Sequence, residues 1–269
     1  MNRVIKIGGR VQDDPGLPGT LVALAALGRG SEHEERSDSP SAGVVVVHGG
    51  GDEITALQRR LGHEPRFVGG RRSTSPAELD VVRMVLSGTA NKRLVASLIT
   101  AGARAVGISG EDGGTFTARV APGAPLGRVG QDVVADATLV RDLINAGWLP
   151  VVSPVARDAD GAGAGLNVNG DDAAAAMAIA CRADELVFVA DVDGVLVDGA
   201  VRSTLSHDDA QELIDRGVAA GGMAAKLQAG YHALEHGVAR VRIAGLGALG
   251  DVARGTTLIS TQTVSPWQR

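Results

Sequence analysis

MNRVIKIGGR, residues 1–10, is the stretch from which the fold can be read. Val4, Ile5 and Ile7 make a β-type run that carries one lysine, Lys6, and then breaks into Gly8 and Gly9. Strand side chains alternate between faces, so Val4 and Lys6 share one face and Ile5 and Ile7 the other. A lysine in that position must find an anion or water. The two glycines leave room for a phosphate to approach bare backbone N–H groups, and with Lys6 beside them they form an electropositive nest. A lysine that reaches out to solvent before a turn fits these ten residues equally well. The rest of the chain has to decide.

The same order of strand, glycines and helix returns downstream. Residues 44–47 are a continuous apolar run, the pattern of a strand buried on both faces of a parallel sheet. The run ends in His48-Gly49-Gly50-Gly51, and a helix is expected from Asp52 to about Leu61. Free N–H groups and the positive helix end then meet at one point, which suits a carboxylate or phosphate. A glycine turn needed only for packing is the plainer alternative. Gly69-Gly70-Arg71-Arg72-Ser73-Thr74 is a turn bearing two adjacent guanidinium groups, of which at most one should point at any one place; Arg72 is the candidate to hold a carboxylate bidentately. Ser75-Pro76-Ala77-Glu78 reads as a capping box with proline at the first helical position. It opens a helical region running through Gly88 to about Thr100 and closed by Gly102.

Further on, strands are expected at 103–108, 114–120 and 149–155, turns at 111–114 and 123–130, and a helix at 137–146. The glycine–alanine stretch 161–165 reads as a hinge or hairpin tip. Asn167, Asn169 and Asp171 fall at period two and line one face if the segment is extended; an Asx-turn entering the helix that begins near Asp172 is the alternative. Residues 186–190 form another apolar strand leading into Asp191-Val192-Asp193-Gly194-Val195-Leu196, and Ser206 opens a helix to Asp215. Gly221-Gly222-Met223-Ala224-Ala225-Lys226 opens a helix to about His236. Lys226 sits in its first turns, where the dipole disfavours a cation, so an anion is expected nearby. A strand at 240–244, a short helix at 248–253 and a strand at 257–260 close the chain. Strands and helices alternate throughout, which gives an α/β class with a mainly parallel sheet.

Composition sets the outer bounds. The 269 residues are 44% hydrophobic, enough for a substantial core, and the formal charge of −5 gives no reason to expect nucleic acid. Aromatics at 2% argue against a base-stacking surface. No apolar run is long enough to span a membrane and no signal peptide is evident, so the expected location is cytoplasmic. The single Cys181 has no partner for an internal disulfide. Residues 29–43, charged and serine-rich, read as a mobile surface loop. The literal GxGxxG at Gly245–Gly250 has too little chain after it for a dinucleotide fold. Asp191-Val192-Asp193-Gly194 matches a haloacid-dehalogenase-type phosphatase motif for four residues, but late in the chain. No P-loop and no GxSxG occur.

What remains is two lysines on separate glycine-rich turns, one acid between them in sequence, a glycine loop and an arginine. Phosphoryl transfer needs positive groups on the moving phosphoryl more than it needs a covalent nucleophile, and this set supplies them. With the first strand through Gly9, VVVVHGGG, GGRRST, GTANK at 88–92, NVNGDD, VADVDGV and GGMAAK all in order, the chain resembles the amino acid kinase family over nearly its whole length.

The resemblance implies a three-layer α/β/α open sandwich with a mainly parallel sheet. It implies an acyl-amino-acid-binding and dimerisation lobe at 1–165 and a nucleotide lobe at 166–269. By position, Lys6 and Lys226 match the lysines that stabilise the transition state, and Asp171 the aspartate that orients both. Gly50, Gly51, Arg72 and Asn167 match the positions that hold the acyl-amino acid. Gly8 and Gly9 match the loop along the phosphates. Asp191, Val192, Asp193, Gly194, Val195 and Leu196, with Val218, Ala219 and Ala220, match the ATP-binding segments. The implied reaction is ATP-dependent phosphorylation of the side-chain carboxylate of N-acetyl-L-glutamate to an acyl phosphate in arginine biosynthesis. ATP enters with magnesium held mainly by its phosphates, no protein metal site is implied, and the assembly implied is a homodimer. The absence of a helix ahead of the first strand goes with a lack of arginine inhibition. Asp172 stands where the family often has glutamine, Ala190 where Ser or Thr is frequent, and residues 261–269 match nothing. The alternatives are a kinase for carrier-protein-linked aminoadipate or glutamate, and a non-catalytic amino-acid-binding regulator on the same fold.

Overall fold

The computed structural model describes residues 2–28, 43–122, 126–161 and 164–260. The loop expected at 29–43 lies outside the described residues except for Gly43, and the tail 261–269 lies wholly outside them.

Among the described residues eight strands make one sheet, in the spatial order Thr204–Ser206, Thr256–Ile259, Val241–Gly245, Glu185–Ala190, Arg3–Ile7, Val44–His48, Leu149–Ser153 and Ala105–Ser109. The first strand of the chain is central. It pairs in parallel with Glu185–Ala190 on one side and Val44–His48 on the other, so Lys6 lies between Phe188 and Val47. Val241–Gly245, Leu149–Ser153 and Ala105–Ser109 extend the parallel run. Only the two edge strands at the far end run the opposite way. In such a sheet the loops after the strands emerge on one edge. Here that edge gathers Gly8-Gly9, His48-Gly49-Gly50, Pro154, Asp191 and Leu246.

The described residues form eight α-helices: α1 (Leu17–Gly28), α2 (Gly51–Arg60), α3 (Pro76–Arg83), α4 (Asn91–Thr100), α5 (Thr138–Asn145), α6 (Gly170–Cys181), α7 (His207–Asp215) and α8 (Gly222–Glu235). The alternation of the first strand appears directly in the packing. Val4, with Val45, Val47 and Phe188, packs in one core with residues of α5, α6, α7 and α8. Ile5 and Ile7, with Val46, pack in the other with Leu17, Leu21, Leu94 and Leu98 of α1 and α4. Ala173, Ala174, Ala175 and Ala178 of α6 are fully buried, and their small side chains let the helix lie close to the sheet.

The capping box is present: Ser75 Oγ accepts from the Glu78 N–H at 3.2 Å and Glu78 Oε2 from the Ser75 N–H at 2.7 Å. Val155–Asp158 pairs antiparallel with Gly165–Asn167, and of the stretch 161–165 read as a hinge or hairpin tip, residues 162–163 lie outside the described residues. Between α3 and α4 the chain winds as a π-helix over Met84–Ala90, with Thr89 Oγ1 donating to Met84 O five residues back.

Three expectations need correction. The strand expected at 149–155 is two, Leu149–Ser153 and Val155–Asp158, because Pro154 has no N–H to continue the ladder. A strand, Gly130–Ala135, begins where only turn residues were read; it joins Phe116–Val120 in a second, four-stranded sheet. Residues 248–253 are not a helix. A 3-10 turn at Leu246–Ala248 gives way to a loop gathered by the fully buried Arg242, whose Nη1 donates to the carbonyls of Ala248, Asp251 and Arg254 at 3.3, 2.9 and 2.8 Å. Of the two readings of 167–171 the Asx turn holds, the chain being extended only through Asn169. Asn169 Oδ1 accepts from the Asp171 N–H at 2.7 Å, so α6 starts at Gly170 and the Asx cap replaces the period-two face.

Candidate active site

Lys6 leaves the central strand on the face that packs against α6, and it is only 7% exposed. The first turn of α6 meets it there. Lys6 Nζ lies 2.7 Å from Asp171 Oδ1, off the line of a good hydrogen bond, and Lys226 Nζ lies 3.6 Å from Asp171 Oδ2. Asp171 is itself buried, and its charge is favoured by the helix N-terminus. Gly170 packs directly on the lysine, a Cβ there standing 3.4 Å from Lys6 Cε, at ordinary contact distance. Lys226, on the second turn of α8, also donates to Gly222 O at 3.3 Å. Burial, and then the charge of Lys6, hold the Lys226 ammonium below its ordinary pKa, while Asp171 works in the other direction. Two ammonium groups share one carboxylate. The buried cluster therefore carries an excess positive charge that a third, anionic group would balance.

Cavities open on both sides of this cluster. On the Lys226 side, one of about 360 Å³ is lined by Gly8, Gly9, Arg10, Val189, Asp191, Gly222 and Lys226 among others. At Gly9 a Cβ would meet nothing within 4 Å, so the backbone there faces open space. A second cavity of about 510 Å³ shares Arg10, Val11, Ala190, Asp191 and Val192 with it and continues to Asp193, Gly245 and Gly247. Arg10 Nη1 is 3.4 Å from Asp191 Oδ2, both side chains being mostly exposed.

On the Gly170 side lies a cavity of about 190 Å³ lined by Gly49, Gly50, Gly51, Arg71, Arg72, Leu86, Pro154 and Asn167 among others. Both arginines line it, where the sequence allowed at most one. The Arg72 guanidinium is held from behind: Nη1 donates to Gln58 Oε1, Nη2 donates to Gly51 O at 2.7 Å and Thr55 Oγ1 at 2.8 Å, and the group sits 4.7 Å from the centre of the Phe67 ring. That leaves two of its five N–H groups, one on Nε and one on Nη1, for a ligand. Arg72 O accepts from Thr74 Oγ1, which in turn accepts from Asn167 Nδ2 at 3.0 Å, so the two residues are tied by one intermediary. The first N–H groups of α2 open at this point.

The structure thus gathers Lys6, Lys226, Asp171, Gly8, Gly9, Gly50, Gly51, Arg72, Asn167, Asp191, Val192 and Asp193 along one edge. Gly194, Val195 and Leu196 turn away from these three cavities, the Val195 N–H donating to Thr256 Oγ1 at 2.8 Å. Val218, Ala219 and Ala220 precede α8 and line none of the three. Sequence reasoning missed Gln58 and Thr55, which aim Arg72; the only signal was their spacing of three on α2. It missed Arg10, and it set Gly245 and Gly247 aside as a turn. Such a site contains no activated nucleophile. It offers fixed cations between two pockets, an arrangement for stabilising charge on a group passing from one pocket to the other.

Residues 1–245 match the amino acid kinase family. The acetylglutamate kinase of Chloroflexus aurantiacus is 43% identical over 252 residues, covering 92% of this chain and 93% of that protein. That of a Roseiflexus species is 42% identical over 259 residues, covering 96% and 93%. Among solved structures, smu.665 from Streptococcus mutans superposes with a TM-score of 0.81 at 25% identity, covering 95% of this chain and 97% of that one.

Proposed function

The chain belongs to the amino acid kinase family, and from that premise we propose that it transfers the γ-phosphoryl group of ATP to the side-chain carboxylate of N-acetyl-L-glutamate. A carboxylate oxygen attacks the γ-phosphorus and the bond to the bridging oxygen of ADP breaks, leaving an acyl phosphate and ADP. The attacking carboxylate is already ionised, so no general base is required. Electrostatic stabilisation of the phosphoryl in flight is the main demand.

One observation carries the reading: the Lys6–Asp171–Lys226 cluster stands between a small glycine-lined cavity and a larger open one. Lys6 and Lys226 act on the transferring phosphoryl, and Asp171 holds both in place. Gly50, Gly51, Arg72 and Asn167 hold the acyl-amino acid, Arg72 with its two remaining N–H groups on a carboxylate. Gly8 and Gly9 run along the phosphates. Residues 191–196 and 218–220 take the rest of the nucleotide. Magnesium enters with ATP, held mainly by the phosphates and water, as befits a small, hard cation. The assembly is a homodimer through the first lobe, and the enzyme works in the cytoplasm, where its nucleotide is found. Support for N-acetylglutamate comes from relatives that carry the name acetylglutamate kinase over nearly the whole chain. A carrier-linked substrate and a non-catalytic regulator are not favoured by those relatives, and a regulator does not need both lysines and the aspartate in contact.

Initial rates of ADP release with N-acetylglutamate, N-acetylaminoadipate, glutamate and aspartate test the assignment. N-acetylglutamate should give a kcat/KM at least ~10-fold above each of the others, about what a methylene or a lost amide contact is worth in a pocket. A higher value for any of the other three would overturn it.

A further inference from the structure

The glycine loop of the small cavity is held by side chains that do not themselves line it. Val151 O can only accept a hydrogen bond and the Lys92 ammonium can only donate one. They fix the Asn91 amide between them: Nδ2 donates to Val151 O at 3.0 Å, and Oδ1 accepts from Lys92 Nζ at 3.1 Å. The other N–H of Nδ2 then faces His48 Nε2 at 3.1 Å, so Nε2 must be the unprotonated nitrogen. The proton of the neutral ring sits on Nδ1 and is donated to Gly49 O at 2.8 Å. Gly49 O also accepts from Gln12 Nε2 at 2.9 Å, and the Gly49 N–H donates to Ile7 O at 3.0 Å. Gly49 is therefore tied down at both ends. Across a trans peptide the Gly50 N–H points away from the Gly49 carbonyl, and hence away from His48 and Gln12.

Resting on the kinase reading, we propose that His48, locked in its Nδ1–H tautomer by Asn91, is a positioning residue: it fixes the Gly49–Gly50 peptide so that the Gly50 N–H is presented to an anionic oxygen of the acyl-amino acid. His48 and Asn91 are both fully buried and neither touches the cavity, so the effect passes through the peptide. A ring with the opposite tautomer would set Nε2–H against Asn91 Nδ2–H and leave Gly49 O with Gln12 alone.

Two replacements separate this role from packing. His48→Asn keeps an N–H near the Nδ1 position, whereas His48→Gln is closer in length but presents its amide near Nε2. If His48 positions the loop, His48→Gln raises the KM for N-acetylglutamate by ~10-fold or more, as expected for a lost buried hydrogen bond, with kcat and the KM for ATP little changed. His48→Asn raises it distinctly less. Equal KM values in the two variants, or a lower one in His48→Gln, overturn the proposal. Nitrogen-15 NMR of the imidazole in the full wild-type chain needs neither variant to fold and no substrate. A pyrrole-type signal at Nδ1 and a pyridine-type signal at Nε2 at pH 7 support the lock, and the reverse pattern or a charged ring refutes it. Failure of wild-type turnover on N-acetylglutamate would count against the kinase reading instead, leaving the tautomer result as it stands.

Discussion

At the scale of single residues, the account turns on Asp171 holding two lysines that come from opposite ends of the chain. Replacing Lys6 or Lys226 by alanine should lower kcat by ~10²-fold or more, the usual consequence of losing one preorganised donor, with the KM for ATP changing far less. A Lys226→Ala enzyme with near wild-type kcat would remove α8 from the phosphoryl site. Arg72→Ala should raise the KM for the acyl-amino acid with a smaller effect on ATP. Because three of its N–H groups brace Gln58, Gly51 and Thr55, it should also cost about 1–3 kcal/mol of stability, read as a shift in denaturant midpoint. A KM change of equal size for both substrates would contradict the placement of Arg72. Lys6 and Lys226 were legible because each is out of place by local rules, a cation in an apolar strand and a cation near a helix start. Asp171 was legible as a residue but not in its setting, since the Asn169 cap turns the chain into a helix just where alternation suggested a strand. Gln58 and Thr55 were not legible, because what they touch is set by how α2 lies against a hairpin distant in sequence.

At the scale of elements, the alanine face of α6 is what brings Asp171 close enough to Lys6. Ala175 is fully buried within that face. Ala175→Leu should cost about 1–3 kcal/mol by overpacking. It should also lower kcat, because the helix cannot make room without carrying Asp171 away from the sheet. A stability loss with unchanged kcat would show that α6 yields somewhere other than its first turn. The strand–glycine–helix units were read from local pattern, and the pattern held where an apolar run met glycines. It failed where an element depends on a partner far along the chain. Gly130–Ala135 exposes Asp132 and Val134 and is a strand because Phe116–Val120 pairs with it. The stretch after Leu249 is shaped by the carbonyl-gathering Arg242 rather than by helix propensity.

At the scale of the whole molecule, burial of His48 couples folding to pH. Burial lowers its pKa from 6.5 to about 4; the Gly49 carbonyl and Glu53 oppose this, while Arg93 and Lys6 add to it. In the unfolded chain the ring takes up a proton near pH 6.5, and in the folded chain only near pH 4. The unfolded state therefore binds more protons between those values, and stability falls as pH falls through that window, by about 3 kcal/mol from this residue alone. Denaturant unfolding from pH 7 to 4 should show that loss reduced in His48→Asn; an equal loss in both proteins would mean that other groups carry the acid sensitivity. The parallel α/β class was legible from alternation alone. The central place of the first strand was not, because the pairing of Arg3–Ile7 with Glu185–Ala190 joins segments about 180 residues apart, on which no local pattern bears.

The central claim is that this edge of the sheet moves a phosphoryl group onto a carboxylate. Phosphorus-31 NMR of the purified chain with magnesium-ATP and N-acetyl-L-glutamate tests it most directly, with hydroxylamine added afterwards to capture any acyl phosphate. The account predicts an acyl phosphate signal that grows with ADP and disappears as the hydroxamate forms, and that grows ~10²-fold more slowly in Lys226→Ala. ADP accompanied only by inorganic phosphate, with no hydroxamate, would contradict it.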